Sequence, residues 1–132
     1  MARPRKPRLV HLDTHVVCWL YAGRLDLLSP AAREAIERSA LAVSPMVGLE
    51  IQYLREIGRV RHGARRMLAT LRRDLGLALS DVPFAVVAAR AQTLAWTRDP
   101  FDRLIAGEAA AARARLVTRD DQLRKHFRAA LW

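Results

Sequence analysis

Acidic side chains follow two short apolar runs of this sequence, at the point where each run ends. Asp13 comes directly after LVHL at residues 9–12, and Asp120 comes two residues after LVT at residues 116–118. The carboxyl ends of parallel strands meet at one edge of a sheet, and functional groups gather there. If the two runs are neighbouring parallel strands, Asp13 and Asp120 lie on the same rim. They are the first candidates for a chemical site.

A third acid interrupts an apolar helical pattern. Glu50 shares the helical spacing of Val47, Ile51 and Leu54, so it belongs to a stripe that is expected to face the core. An unpaired carboxylate in such surroundings costs free energy, so a partner must compensate for its charge.

A fourth acid opens another predicted helix, and the set points to a metal. Asp99 and Asp102 are three residues apart at its start, so they share one face. At the N-terminus of a helix, the dipole stabilises their negative charges. Four carboxylates at one rim repel each other unless a cation joins them, and oxygen ligands suit Mg²⁺ or Mn²⁺. Such an ion beside a basic surface is suited to phosphodiester hydrolysis, because it activates water. The predicted ligands are Asp13, Glu50, Asp102 and Asp120.

Each acid also has a simpler structural explanation. Asp99 and Asp120 are placed to cap the N-terminus of a helix, and Asp13 is placed to cap the first helix in place of Thr14. Glu50 has many arginines available for an ion pair. These explanations stay open at the level of sequence.

Composition bounds the class of protein. The formal net charge of +10 over 132 residues favours contact with a polyanion such as nucleic acid, and a solubilising surface is the alternative. The single cysteine, Cys18, excludes an intramolecular disulfide. His11 and His15 straddle a predicted strand–helix junction, which argues against a zinc pair. We expect a cytoplasmic protein, since no signal-peptide pattern and no membrane span are evident.

Apolar runs alternate with helical patterns along the chain. The predicted strands are residues 9–13, 41–44, 77–80 and 115–118. The predicted helices are residues 14–23, 29–40, 44–58, 63–75, 84–95, 99–115 and 120–127, with Thr14 as the first cap. The alternation predicts a three-layer α/β/α domain with a short parallel sheet of about four strands and about seven helices. Residues 9–132 form this single domain, and residues 1–8 are predicted to be a disordered basic arm.

Four segments resemble the successive motifs of the PIN-domain ribonucleases, in particular the VapC toxins of type II toxin–antitoxin pairs. These segments are LVHLDTHVVCWL, SPMVGLEIQYL, RDPFDRLIAGEA and LVTRDDQL, and the similarity spans residues 9 to about 127. The resemblance implies a PIN-like fold and an endoribonuclease that cleaves RNA with Mg²⁺ or Mn²⁺. It also implies an antitoxin partner that blocks the acidic site, and a homodimer.

The resemblance also assigns roles by position. Asp13 and Asp102 match the principal metal ligands, and Asp120 matches an acid that completes the shell directly or through water. Glu50 matches the acid that orients a metal-bound water or a second ion. Thr118 matches a small hydroxyl residue that supports the site, and Asp99 is a weaker supporting candidate.

Two other functions are compatible with parts of the pattern. A response-regulator-like receiver domain also has an aspartate after its first strand, but Asp81 is a poor phosphoacceptor candidate and Lys125 falls inside the last predicted helix. A non-catalytic nucleic-acid-binding module would need only the basic charge.

Overall fold

The computed structural model describes residues 7–132, so residues 1–6 of the predicted basic arm lie outside the described residues. Pro7 and Arg8 are exposed. The carbonyl oxygen of Arg8 accepts a hydrogen bond from the amide of Ala40 at 2.8 Å, directly before the first strand. The first strand begins at Leu9, as the sequence predicts.

A parallel sheet of five strands forms the centre of the fold, in the order β3-β2-β1-β4-β5. The strands are β1 (Leu9–Leu12), β2 (Ala40–Val43), β3 (Ala78–Leu79), β4 (Arg115–Val117) and β5 (Ala130–Leu131). Val10 of the central strand faces Leu41 on one side and Arg115 on the other. The buried apolar residues of β1, β2 and β4 pack into one hydrophobic core.

The fifth strand is missing from the sequence prediction. β5 is only two residues long, so it offers neither an alternating pattern nor an apolar run. It is defined by its hydrogen bonds to β4, since the amide of Thr118 donates to the carbonyl of Leu131 at 3.1 Å. The third strand is also shorter than the predicted 77–80.

Seven α-helices surround the sheet within the described residues, in agreement with the sequence prediction. They are α1 (Thr14–Tyr21), α2 (Pro30–Arg38), α3 (Pro45–Glu56), α4 (Ala64–Leu75), α5 (Phe84–Gln92), α6 (Pro100–Ala111) and α7 (Asp121–His126), with a short 3₁₀ helix at Leu25–Leu27. Within residues 7–132, no helix has the length and apolar character that a membrane crossing requires.

Helix starts follow local sequence closely, with one correction. The caps Ser29, Ser44 and Asp99 each precede a proline at the first helical position. The prediction of Thr14 as the first cap is wrong. Asp13 has the extended backbone of a cap, and its carboxylate accepts from the Thr14 amide at 2.8 Å.

The strand order creates a crevice between β1 and β4. The chain moves from β1 to β2 and β3 on one side, then crosses to β4 and β5 on the other. Right-handed crossovers place the helices of the two halves on opposite faces, so β1 and β4 mark the topological switch point. The doubly wound order 2-1-3-4-5 of receiver domains is different, which excludes that alternative.

A buried polar contact ties α3 to α6. The Ser44 hydroxyl caps α3 by accepting from the Met46 amide at 3.1 Å and donates to Glu108 Oε1 at 2.9 Å. Ser44 and Glu108 are 2% and 4% exposed, so solvent does not compete for this bond. The hydrogen bond between Ser44 and Glu108 therefore holds α3, which carries Glu50, against α6, which carries Asp102.

Helix α6 also packs tightly against α5 at Gly107. A Cβ atom at this position would lie 3.1 Å from the amide nitrogen of Ala91 and 3.1 Å from the carbonyl oxygen of Val87. Both neighbours are backbone atoms, so the contact could be relieved only by moving a helix.

We therefore expect Gly107→Ala to destabilise the protein by about 1–3 kcal/mol, although alanine is the better helix former. Urea unfolding measures the change. Gly48→Ala is the matched control, because its Cβ would meet Leu68 Cδ1 at an ordinary 3.5 Å. The control should be neutral or gain up to about 1 kcal/mol. A stabilised Gly107→Ala variant would contradict the close approach.

Candidate active site

Asp13 stands at the mouth of the crevice, between β1 and α1. Its side chain is 6% exposed, and its amide donates to the Val117 carbonyl of β4 at 3.0 Å. One side-chain oxygen caps α1 through the Thr14 amide, and the other accepts from the Thr118 hydroxyl at 2.6 Å. Asp13 is therefore held in one orientation by groups from α1 and from the end of β4.

Thr118 links Asp13 to Asp120. Its buried hydroxyl donates to Asp13 Oδ2 and accepts from the Asp120 amide at 3.0 Å. Asp120 caps α7, since its Oδ1 accepts from the Leu123 amide at 2.9 Å. The two acids that follow β1 and β4 thus lie together at one rim, as the offset of the two runs predicts.

Asp102 lies among the other acids. Burial, as the largest cause, and negatively charged neighbours together raise the pKa of Asp102 to about 7. In order of their effect these are Asp99, Asp13, Asp120 and Glu50. The charges of all the sequence-predicted acids therefore act on one carboxylate.

Glu50 is half-buried on α3 and takes part in the same group. Burial raises the pKa of Glu50, and the charges of Asp13 and Asp99 add to this rise. The nearby Thr14 hydroxyl acts in the opposite direction and lowers the pKa of Glu50. The two groups do not meet in hydrogen-bonding geometry, and the buried Thr14 hydroxyl has no hydrogen-bond partner among the described residues. No arginine within residues 7–132 pairs with Glu50, so the ion-pair explanation has no support among the described residues.

The capping explanations are correct for all three aspartates that have them. Asp99 caps α6 by accepting from the amides of Phe101 and Asp102, at 2.8 and 3.3 Å. Asp13 and Asp120 cap α1 and α7. An acid can cap a helix and also belong to the acidic group, because the dipole at each of these three helix N-termini favours a negative charge.

His15 is a neighbour of the site, and the sequence, which only argued against a zinc pair with His11, did not predict this role. Its Nδ1 lies 3.6 Å from Asp13 Oδ2, and its Nε2 accepts from the Arg119 amide at 2.9 Å. Burial lowers the pKa of His15, against the charges of Asp13 and Asp120. The ring is therefore neutral, with the Nδ1 proton facing Asp13. Only its position two residues after Asp13 could have indicated this role.

The chemistry of the donor set fits a hard divalent cation. Within residues 7–132, no three His, Cys, Asp or Glu side chains already stand in a metal-binding arrangement. The neighbouring groups are nevertheless carboxylates whose charges oppose each other, which a cation would relieve. Among the described residues, no donor forms a hydrogen bond to the carboxylate of Asp102 or Glu50. Of the four acids, these two side chains are therefore the most free to turn towards an ion.

Comparisons with known proteins point to one family. The PIN domain family model matches residues 10–127. Ribonuclease VapC22 of Mycobacterium tuberculosis (strain ATCC 25618 / H37Rv) is 34% identical over 123 residues, which cover 89% of this chain and 91% of that protein.

Solved structures share the fold at lower identity. A toxin–antitoxin complex from Klebsiella pneumoniae contains a chain with a TM-score of 0.65 and 19% identity, over 93% of this chain and 96% of that chain. VapBC2 from Rickettsia felis, bound to a promoter DNA fragment, gives a TM-score of 0.62 and 20% identity, over 90% and 93%. At these identities the likeness concerns the fold.

Thr118→Val tests the link between Asp13 and Asp120. Valine has nearly the same shape, but it leaves the buried Asp13 oxygen and the Asp120 amide without their partner. We expect a loss of about 1–3 kcal/mol in the free energy of unfolding, measured by urea denaturation. Thr118→Ser keeps the hydroxyl and should lose less. An equal or larger loss in the serine variant would mean that the methyl group matters, and the hydrogen bonds do not.

The raised pKa of Asp102 predicts a pH dependence of stability. The unfolded value is about 3.9, so between about pH 4 and 7 the folded state binds more protons and loses stability as pH rises. Asp102→Asn removes this loss. In EDTA the variant should be more stable than the wild type by about 1–2 kcal/mol at pH 8, after allowance for solvent screening, and equally stable near pH 4.

Urea unfolding across this pH range measures the difference. Asp81→Asn is the matched control, because Asp81 is exposed beyond β3 and accepts no side-chain hydrogen bond among the described residues. It should not change the pH profile. An Asp102→Asn variant that is less stable than the wild type at pH 8 would contradict the predicted repulsion.

Proposed function

This chain belongs to the PIN-domain family, and on that premise we propose that it is a metal-dependent endoribonuclease of the VapC type. The observation that supports the proposal is that Asp13, Glu50 and Asp120 lie close enough to Asp102 for their charges to raise its pKa, with Asp13 and Asp120 at the β1/β4 crevice. The relative from Mycobacterium tuberculosis, which is named a ribonuclease, supports the same activity.

The residues that would hold the ion are the four acids. Asp13 and Asp102 would be the principal ligands, Asp120 would complete the shell, and Glu50 would orient a bound water or a second ion. A bound Mg²⁺ or Mn²⁺ supplies an activated water and stabilises the charge that develops on the phosphate. Asp99 would support the site as the cap of α6.

The protein's own groups would keep these carboxylates in place. The Thr118 hydroxyl fixes Asp13 Oδ2, and the α1 and α7 amides hold Asp13 Oδ1 and Asp120 Oδ1. Neutral His15 faces the same Asp13 oxygen without adding a positive charge that would compete with a cation. Such prior orientation reduces the reorganisation needed when substrate binds.

We further propose a VapB-type antitoxin as the partner that blocks the acidic site, and a homodimer as the form of the toxin. The named toxin–antitoxin complexes of similar fold support the antitoxin. A non-catalytic nucleic-acid-binding protein remains the competing function, since the net charge of +10 would suffice for it.

Cleavage of RNA is the direct test. The purified chain should cut RNA internally in the presence of Mg²⁺ or Mn²⁺, and EDTA should stop this cleavage. Gel analysis of end-labelled RNA measures both results. Asp102→Asn should lose at least about 100-fold in rate and stay folded, because it removes the charge that would hold the ion. Asp121→Asn is the matched control, since the Asp121 side chain is 95% exposed. It should keep its activity.

Two outcomes would overturn the proposal. Activity that survives EDTA would exclude a metal-dependent reaction. Full activity of Asp102→Asn, with contaminating nuclease excluded, would exclude this site. Expression in a bacterial host gives an independent measurement, in which the wild type should arrest growth and the Asp102→Asn variant should not.

A further inference from the structure

A concave basic surface lies between the C-terminal end of α3 and the N-terminal end of α4. Residues 55–66 contain five arginines and one histidine against a single glutamate. The cavity at this junction has a volume of about 490 Å³, and we call it the basic cleft. Its polar and charged lining consists of Gln52, Arg55, His62, Arg65 and Arg66.

The positive charge of the basic cleft is not balanced by nearby acids. Four arginines outside the cleft, Arg24, Arg38, Arg73 and Arg124, form ion pairs with neighbouring carboxylates, as Arg24 does with Asp26 at 3.0 Å. In the part of the chain that the structure describes, no cleft arginine forms an ion pair. The one acid of the segment, Glu56, instead accepts from Gln52 Nε2 at 3.1 Å. The cleft therefore presents a local excess of cations to solvent.

One of these cations packs over the start of a helix. Gly63 is the N-cap residue of α4, and no side chain caps this helix. A Cβ atom at Gly63 would lie 3.0 Å from Arg55 Nη1, so the guanidinium rests against the helix start. A helix N-terminus carries about half a positive charge, so two positive groups face the same concavity. An anion placed between them would be stabilised by both.

We infer that the basic cleft binds the phosphodiester backbone of the RNA substrate, at a point separate from the acidic residues. The inference rests on the proposed ribonuclease function. Guanidinium groups pair with phosphate oxygens through two parallel hydrogen bonds, which suits Arg55, Arg65 and Arg66 to this ligand. Backbone phosphates repeat along RNA, so several arginines in one concavity can contact one strand.

The cleft lies on the same helix as part of the acidic site. Arg55 follows Glu50 by five residues in α3, which is about 7.5 Å along the axis and about 140° around it. An RNA strand that contacts both would pass around the C-terminal half of α3. Phosphate contacts at this distance position the strand and raise affinity, and they take no part in bond cleavage.

The experiment compares RNA binding by the full chain and by R65Q/R66Q in EDTA, where no cleavage occurs. Fluorescence anisotropy of a short labelled single-stranded RNA gives Kd between about 50 and 200 mM salt. Each phosphate contact contributes about 0.7 to the slope of log Kd against log salt. We expect R65Q/R66Q to lower this slope by about 1.4. With Mg²⁺, its KM for RNA should rise severalfold and its kcat should stay within about twofold.

Two further variants distinguish an effect of the cleft arginines on RNA binding from an effect of net charge and from an effect on folding. R33Q/R90Q removes two exposed arginines from α2 and α5, so its net charge equals that of R65Q/R66Q. It should keep the wild-type slope. R65K/R66K keeps both charges and should restore most of the slope. Circular dichroism confirms that each variant is folded.

The binding results can overturn the inference in two ways. An unchanged slope in R65Q/R66Q, or an equal loss in R33Q/R90Q, would overturn the inference. A loss seen only with duplex DNA would assign the cleft to DNA and also overturn it. Binding is measured without metal, so a negative result for the cleft says nothing about RNA cleavage, which has its own assay. Conversely, a protein that binds RNA at the cleft but does not cleave it would still show the expected difference in the slope of log Kd against log salt.

Discussion

Repulsion between carboxylates at the β1/β4 crevice is the constraint on which the rest of this structure depends. Bringing several acids together in half-buried surroundings costs stability, as the raised pKa of Asp102 shows. The fold reduces this cost by placing the N-termini of α1, α6 and α7 at the same rim. Asp13, Asp99 and Asp120 each begin one of these helices, so one carboxylate both completes a helix and adds charge to the site.

The remaining elements hold that arrangement against its own repulsion. The Ser44–Glu108 hydrogen bond and the close approach at Gly107 fix α6, which carries Asp102, against α3 and α5. Thr118 fixes the separation of the acids that follow β1 and β4. A site that retains unfavourable charge needs such rigid support, and stability is commonly exchanged for function in this way.

Much of this architecture could be predicted from the sequence, because the relevant signals are local. Serine or aspartate before proline marked three helix starts, and the acids after LVHL and LVT marked the sheet edge. Other features depend on distant contacts. The Ser44–Glu108 bond joins residues 64 positions apart, and the role of His15 depends on Arg119. The two-residue β5 exists only because β4 pairs with it.

The ends of the sheet have a consequence for self-association. Both edge strands, β3 and β5, are two residues long, so each offers almost no unpaired backbone ladder to another chain. Short edges of this kind protect against strand-to-strand aggregation. We therefore expect ordered contacts between copies to use helical surfaces, where exposed side chains decide the choice of partner. Strand addition depends little on the side chains of the partner, and edges this short disfavour it. Association of this protein then depends on specific recognition between side chains.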